Sequence, residues 1–322
     1  MITMDYDDLG FKCGIEIHQQ LASDTKLFCN CTTELEDTEP VAKIQRQLRA
    51  VAGESGAVDE AAAFEAARSQ TFTYNLYPDT TCLVEMDEEP PHPLNEQALS
   101  IGLQVAKLMN AHVPDEIHVM RKTVVDGSNT TGFQRTAIIG LDGELSTDEG
   151  TVAIEDIELE EESAGIHTRD EHSTVYDLNR LGIPLIELGT DASIQNPTHA
   201  REVAKKIGML LRSTQQVKRG LGTIRQDVNV SIEEGARVEI KGFQDVDNMD
   251  KLVENEVKRQ QSLVEIRERL QDRDIENIDP QIHDVTEIFE TSENQIIERI
   301  IESDGGVYAM KVPLDGYLAE EL

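Results

Sequence analysis

The 322-residue chain has no tryptophan, and aromatic residues make up only 4% of it. A core with so few large rings must be built mainly from Ile, Leu, Val and Ala. At 39% hydrophobic content the length suffices for one large domain and part of another. Cysteine is scarce: four in the whole chain, which does not make a disulfide framework. No apolar run approaches the ~20 residues of a membrane span. The opening "MITMDYDDLG" is acidic and lacks the apolar stretch of a secretory signal. These absences lead to the expectation of a soluble, cytoplasmic protein with no membrane partner. Positive charge is also in short supply, with 29 Lys plus Arg against 63 Asp plus Glu and a net charge of −34. The acid runs along the whole chain among periodic apolar segments, unlike a disordered acidic tail. It fits a folded, halophilic protein whose acid-coated surface sits in molar salt, where the Debye length is about 3 Å. There is no Walker A motif and no G-x-G-x-x-G. No Ser-His-Asp or Cys-His order stands out, and there are no internal repeats.

Periodicity places the elements. Residues 11–21 alternate as a strand. "VDEAAAFEAARSQ" (58–70) is helical, with Asp59 as N-cap. A strand pattern follows and stops at Pro90, Pro91 and Pro93. Residues 94–112 form an amphipathic helix with Leu94, Ala98, Ile101, Val105, Leu108 and Met109 at helical spacing. From 113 to 192 the texture is strands and turns: "LDGEL" signals a hairpin, "SAGIHTRDEHSTVYDLNRLG" a loop and "IPLIELGTD" a strand. "NPTHAREVAKKIGMLLRST" predicts a helix with Asn196 as N-cap and Pro197 at its first position. Two further strands surround "EEGA", and a long charged helix follows. After about 275 the pattern becomes strand–helix–strand and stops before completing a layer. The expected organisation is therefore a domain over 1–275 and the beginning of another over 276–322.

The acidic residues inside strands are more informative than those on the surface. Alternation in "CGIEIHQQL" puts Glu16 and His18 on one face and Ile15 and Ile17 on the other. Glu160 and Glu162 share a face if their strand persists, with Glu161 opposite. Glu187 is alone in an apolar strand. Asp227 pairs with Asn229, and Glu239 with Lys241. Such a face is either solvated or a site for hard cations. Carboxylates without a double His suit Mg²⁺ better than Zn²⁺, and two such ions can clamp a phosphoryl group. "VVDGSNTTGFQRT" (124–136) is either a simple turn or a phosphate-binding loop, with Ser128 and Asn129 as donors and Arg121, Lys122 and Arg135 flanking it. Cys29, Cys31 and Cys82 fall short of the two close pairs that a structural zinc site commonly uses. Buried thiols are expected there in preference to zinc.

Seven stretches in register, "GIEIHQQLASDTKLFCNC", "TTCLVEMDEEPP", "RKTVVDGSNTTGFQRT", "LEEESAG", "YDLNRLGIPLIELGTD", "GTIRQDVNVSI" and "ARVEIKGF", resemble the B/E family of glutamyl-tRNA(Gln) amidotransferase components, in its archaeal E form. The resemblance runs from about residue 10 to the end. It implies an α+β fold, an antiparallel-sheet cradle similar to the catalytic fold of glutamine synthetase, followed by the start of an inserted domain similar to one in aspartyl-tRNA synthetases. It also implies that the chain is the N-terminal portion of a longer protein.

The activity implied is ATP-dependent phosphorylation of the γ-carboxylate of Glu-tRNA(Gln), then amidation with ammonia from an asparaginase-like D subunit. The resemblance assigns Glu16, His18, Glu162, Glu187 and Asp227 to the Mg²⁺ and catalytic set. It places Asn179, Asn229, Glu239 and Lys241 near the site. Two other readings stand beside it: a non-catalytic cradle that docks the amidase and tRNA, and a bacterial-type B subunit.

Overall fold

The computed structural model describes residues 5–47, 50, 52, 56–68, 70–170, 173–273, 281–303 and 305–310. The chain divides into two units. One comprises Met1–Ser231 with Arg237–Glu254, the other Ile232–Ala236 with Asn255–Leu322. The boundary expected near residue 275 lies outside the described residues.

The large unit begins with β1 (Lys12–Gln20), β2 (Ala42–Gln47), α1 (Glu60–Ala67), β3 (Thr71–Leu76) and α2 (Glu96–Leu108). It continues through β4 (Val119–Thr123), β5 (Phe133–Thr147), β6 (Gly150–Glu161), β7 (Gly165–Arg169), β8 (Ser173–Asp177) and β9 (Pro184–Thr190). Then come α3 (Pro197–Ser213), β10 (Ile224–Ser231), β11 (Val238–Phe243) and the first residues of α4 (Met249–Asp272). The described part of the second unit adds β12 (Ile282–Asp284), α5 (Thr286–Phe289), α6 (Gln295–Glu302) and β13 (Tyr308–Met310), with β12 and β13 paired antiparallel. The last stretch of the expected strand–helix–strand pattern, 311–322, lies outside the described residues.

The helices start where the sequence supplies a cap. Asp59, Asn95 and Asn196 each accept a hydrogen bond from the backbone N–H three residues on, which satisfies a donor the helix itself leaves open. Pro197 opens α3, where its missing N–H costs nothing. Among the described residues no helix is long and apolar enough to cross a membrane.

Seven strands form one antiparallel sheet in the order β11-β10-β1-β9-β6-β5-β4. Its apolar face carries Ile15, Ile17, Ile157, Leu159, Ile186, Leu188, Val228 and Val230, all buried. Helices α2 and α3 cover that face with Ala98, Ile101, Val105, Val203 and Ile207. Each such aliphatic side chain is worth about 2 kcal/mol of burial, so register is fixed: a one-residue slip would bring the charged residues inside.

Two local expectations change. "LDGEL" is not a turn: β5 runs through it to Thr147, and the hairpin turn lies just before Gly150. Asp142 takes a positive φ of 51° within that strand, and the pairing with β6 keeps one register on both sides of it, so the Asp-Gly pair is taken up inside the strand without a reversal. The stretch expected as a loop over 163–182 contains β7 and β8. They belong to a second sheet, β2-β3-β8-β7, in which β3 and β8 are parallel.

That second sheet holds the 124–136 loop. Phe72, Tyr74, Tyr176, Leu178 and Leu181 form its core, with the rings of Tyr74 and Tyr176 stacked at 5.9 Å. The Tyr74 hydroxyl donates to the Gly127 carbonyl at 2.8 Å, and the Tyr176 hydroxyl to the Asp126 carbonyl at 2.7 Å. Gly127 has φ +83°, and a Cβ there would come within 2.4 Å of the Phe72 ring. Gly127→Ala should therefore cost about 2 kcal/mol or more in urea unfolding, from strain and overpacking together. A change below about 0.5 kcal/mol, the ordinary range for a surface substitution, would mean that the loop moves freely over the second sheet.

Candidate cation site on the carboxylate face

The polar face of the seven-stranded sheet is built by register. Alternation along β1 puts Glu16, His18 and Gln20 on it, opposite Ile15 and Ile17. Antiparallel pairing sets Asp227 on β10 beside Glu16, and Glu187 on β9 beside His18. Glu158 on β6 stands opposite Glu187, and Asp156 opposite Gly189. Asn229 faces Glu239 of β11. Rows of carboxylates thus cross the sheet perpendicular to the strands, each spaced by the inter-strand distance of about 4.8 Å.

Contacts draw these rows together. His18 Nδ1 lies 3.5 Å from Glu187 Oε2 and 4.0 Å from Glu160 Oε1, and its Nε2 lies 3.9 Å from Asp227 Oδ2. Asn229 donates to Glu16 at 3.4 Å. Lys122 of β4 reaches across to Glu158, Glu160 and Glu187 at 3.2, 3.1 and 3.1 Å. Three overlapping groups have ligand atoms close enough to share an ion: Glu16, His18 and Glu187; Glu16, Asp227 and Glu239; Glu158, Glu160 and Glu187. Glu16 and Glu187 each belong to two of them. Among the described residues, the buried His18 Nδ1 has no hydrogen-bond partner. An orphaned imidazole nitrogen among carboxylates fits a set of cation ligands better than a finished ion-pair network.

The electrostatics agree. Burial, with Glu187 adding to it, pushes the Glu160 carboxyl up to about 8. Burial and the neighbouring Glu187, Glu239 and Asp227 raise Glu16 as well, and burial raises Glu158 and Asp156. Burial also pushes Glu187 upward, but His18, Glu160 and Lys122 outweigh it and hold this carboxyl below its ordinary range. Burial and Arg225 lower His18, which favours the neutral imidazole a metal requires. The face therefore holds more negative charge than its own cations balance. A hard divalent cation relieves that excess.

Of the five residues assigned from sequence to the metal set, the structure brings four together: Glu16, His18, Glu187 and Asp227. It does not bring Glu162 into that set. Glu162 follows the last residue of β6 and keeps to the face of Glu160, its N–H bonded to the Ile183 carbonyl, but other partners claim its carboxylate. Glu162 instead accepts from Gln20 at 3.0 Å, Arg180 at 2.9 Å and Arg225 at 3.3 Å. Burial opposes its ionisation, but the two guanidinium groups keep its carboxyl below the usual range. Glu162 positions Arg225, which neighbours His18 across the β1–β10 ladder.

Asn229, Glu239 and Lys241 lie at the site's β10–β11 edge. Lys241 bonds Glu239 at 2.8 Å and Asp227 at 3.5 Å, and the Gly242 N–H donates to Asp227 at 2.7 Å. Ser128 and Asn129 are buried in the 124–136 loop. Asn129 accepts from Ser163, and Ser128 donates to Asn129. Asn179 donates to the Glu36 carbonyl at 3.4 Å, away from the carboxylates. Arg121 faces opposite to Lys122 on β4 and lies over the Phe133 ring.

Two kinds of residue escaped the sequence reading. Asp156, Glu158 and Glu160 follow one another at i, i+2 and i+4 on β6, a signal visible in "EDIELEE" but read only at its end. Lys122 belongs to the site because β4 lies at the sheet edge beside β5 and its side chain is long enough to span it. No motif predicts that. Elsewhere in the unit, Cys29, Cys31, Cys82 and Glu85 converge, with ligand atoms within 4.8 Å of one another. Counting only thiols and imidazoles leaves this set one short. The fourth member is a carboxylate.

With this geometry in view, comparison with known proteins is informative. A family model described as the GatB/GatE catalytic domain matches residues 11–303. The chain is 52% identical over 329 residues to a Natronomonas pharaonis protein named as the E subunit of glutamyl-tRNA(Gln) amidotransferase, covering 100% of this chain and 53% of that protein. Proteins of the same name from Methanothermobacter thermautotrophicus and Methanocaldococcus jannaschii are 52% and 51% identical, over 99% and 95% of this chain and 51% and 48% of theirs. The chain thus spans about half the length of the curated relatives it matches.

The raised Glu160 carboxyl has a consequence for stability. A folded-state value of about 8 against an ordinary 4.5 means that the folded state holds the extra proton. The stabilisation is complete below the unfolded value and is lost as pH rises through the folded one. Glu160→Gln is neutral throughout, so in EDTA the variant should gain on the parent between about pH 5 and pH 9, by up to about 5 kcal/mol. A pH-independent difference would show Glu160 ionising as an ordinary carboxyl.

Proposed function

The chain belongs to the GatB/GatE catalytic-domain family, and from that premise we propose that it carries the kinase-like active site of a glutamyl-tRNA(Gln) amidotransferase. The γ-carboxylate of glutamate on tRNA(Gln) attacks the terminal phosphate of ATP, ADP leaves, and ammonia then displaces phosphate from the acyl phosphate to give the amide. The single observation that carries this reading is the convergence of Glu16, His18, Glu187 and Asp227 around an unpartnered imidazole nitrogen on one sheet face. A scaffold that only docks an amidase and tRNA has no need of such costly, unneutralised carboxylates.

Glu16, His18, Glu187 and Asp227 would hold Mg²⁺, with Glu158 and Glu160 available to a second ion. Bound there, Mg²⁺ would offset phosphate charge and orient the oxygen atoms for in-line transfer. Lys122 and Lys241, each already paired with site carboxylates, stand at two edges of the face and can turn to phosphoryl oxygens as charge develops. Arg225, fixed by Glu162, supplies a third cation beside His18. A cradle similar to that of glutamine synthetase would shield the acyl phosphate from water. Ammonia would come from an asparaginase-like D subunit, in a heterodimer or heterotetramer.

Turnover tests this directly. With the complete protein, its amidase partner, ATP, Mg²⁺ and Glu-tRNA(Gln), Glu187→Gln should lower ADP and Gln-tRNA(Gln) formation by roughly 10²-fold or more while the fold is kept. Unchanged turnover would remove Glu187 from the metal set. Absence of ADP formation by the unaltered protein would leave the docking cradle as the better reading.

The net charge of −34 further supports a halophilic setting, because self-repulsion on this scale is relieved only when salt screens it. The thermal midpoint should therefore climb between low salt and molar KCl. A flat dependence would dismiss the halophilic reading.

A further inference from the structure

Lys122 holds a place that a metal ion would otherwise claim. Its ammonium lies 3.2, 3.1 and 3.1 Å from Glu158 Oε2, Glu160 Oε2 and Glu187 Oε2. An ammonium has three N–H donors, so each meets one carboxylate. The same three carboxylates form one of the groups whose oxygen atoms lie within 4.8 Å of one another, close enough to share an ion. The lysine is thus a tethered monovalent cation at oxygens suited to a divalent one.

The group also faces a ligand that the ammonium does not use. His18 Nδ1 lies 3.5 Å from Glu187 Oε2 and 4.0 Å from Glu160 Oε1. His18 is 8% exposed, and among the described residues that nitrogen has no hydrogen-bond partner. The carboxylates are held without help from the lysine. Glu160 is buried, and the Thr136 hydroxyl of β5 donates to its Oε2 at 3.1 Å. Lys122 itself is placed to leave. It comes from β4 at the edge of the sheet, and 44% of its side chain is exposed. A flexible four-carbon stem lets its charge turn outward.

We propose that Lys122 is the resident counter-ion of the second Mg²⁺ position, and that ammonium and metal exclude one another there. The inference rests on the sheet face being the cation site proposed above. A divalent ion and an ammonium at the same oxygens repel at short range, so the ion binds only when Lys122 has turned away. A bound nucleotide gives the lysine somewhere to go, because its phosphoryl oxygens are a second set of anions. Phosphate binding and occupancy of the second position are therefore coupled, and linkage makes the coupling reciprocal. Lys122 keeps the second ion weak until nucleotide is present, and so sets an order: one ion first, then nucleotide and the second ion together.

Mn²⁺ binding to the full chain tests this, followed by the electron paramagnetic resonance signal of the free ion in molar KCl, where surface carboxylates are screened. Without nucleotide the parent should bind one Mn²⁺ tightly. Lys122→Met should bind two, the second roughly tenfold tighter or more than in the parent. Lys122→Gln, which keeps a polar side chain on β4, should do the same and serves where the Met variant folds poorly. Saturating AMP-PNP, a non-hydrolysable ATP analogue, should bring parent and variants to the same number of bound ions. Unchanged affinity for the second ion in both variants would overturn the inference. Weaker binding would also overturn it, by making Lys122 a support of the site and not its occupant. A gap between parent and variants that persists in AMP-PNP would overturn the coupling to phosphate. Absence of tight Mn²⁺ from all three proteins would overturn the cation site itself, a separate outcome. None of these readouts depends on amidotransferase turnover.

Discussion

Repulsion among Glu16, Asp156, Glu158, Glu160, Glu187, Asp227 and Glu239 is what the large unit must withstand. Strand register packs them onto one sheet face at inter-strand spacing, and at that distance like charges in a half-buried setting oppose one another by kcal/mol, not tenths. The cost is carried by the other face of the same strands. Each carboxylate on β1, β9, β10 and β6 alternates with an aliphatic residue buried beneath α2 and α3, so moving a charge off the face would bring an Ile, Leu or Val into water. Apolar burial fixes the register, and the register fixes the charges. Side chains held this way need little rearrangement to act together.

The same alternation explains how much was legible. From residues 13–21 alone, Glu16 and His18 share a face, and that holds because β1 lies inside the sheet and is straight over this stretch. Four of the five assigned ligands then meet without any information about topology. Glu162 is the instructive exception. Period-2 reasoning places it with Glu160, and it does keep to that face, but Arg180 and Arg225 capture its carboxylate. Alternation gives the face a side chain takes, not the partner that claims it there.

The fold-level misses have the same origin. Asp-Gly in "LDGEL" is a strong hairpin signal when it stands alone, but a fifteen-residue β5 pairs on both sides of it, and the local preference is spent on one positive φ within the strand. The polar composition of 163–182 hides β7 and β8 because their partners are local only in part: β8 takes the distant β3 as a parallel neighbour. That Glu85 converges with Cys29, Cys31 and Cys82 was illegible for a simple reason: an acid-rich chain offers too many carboxylates for one to stand out.

The two clusters differ in the donor atoms they present. The sheet face presents oxygen and one imidazole on rigid strands and remains rich in unbalanced charge, conditions that suit a hard ion retaining water and phosphate in its shell. The second cluster presents sulfur and a single carboxylate beside a buried lysine. Between them runs the 124–136 loop, held on one side by the Tyr74 and Tyr176 hydroxyls and on the other by the Glu85 carbonyl. Its arginine and lysine side chains divide accordingly. Arg135 pairs with Glu161 on the reverse of β6 at 3.1 Å, and Lys122, just before the loop, reaches the carboxylate face. A rigid loop matters because Lys122 can balance three carboxylates only while β4 stays in register at the sheet's edge, where a strand has a neighbour on one side alone. Anchoring the loop that follows β4 supplies the restraint that the missing neighbour does not.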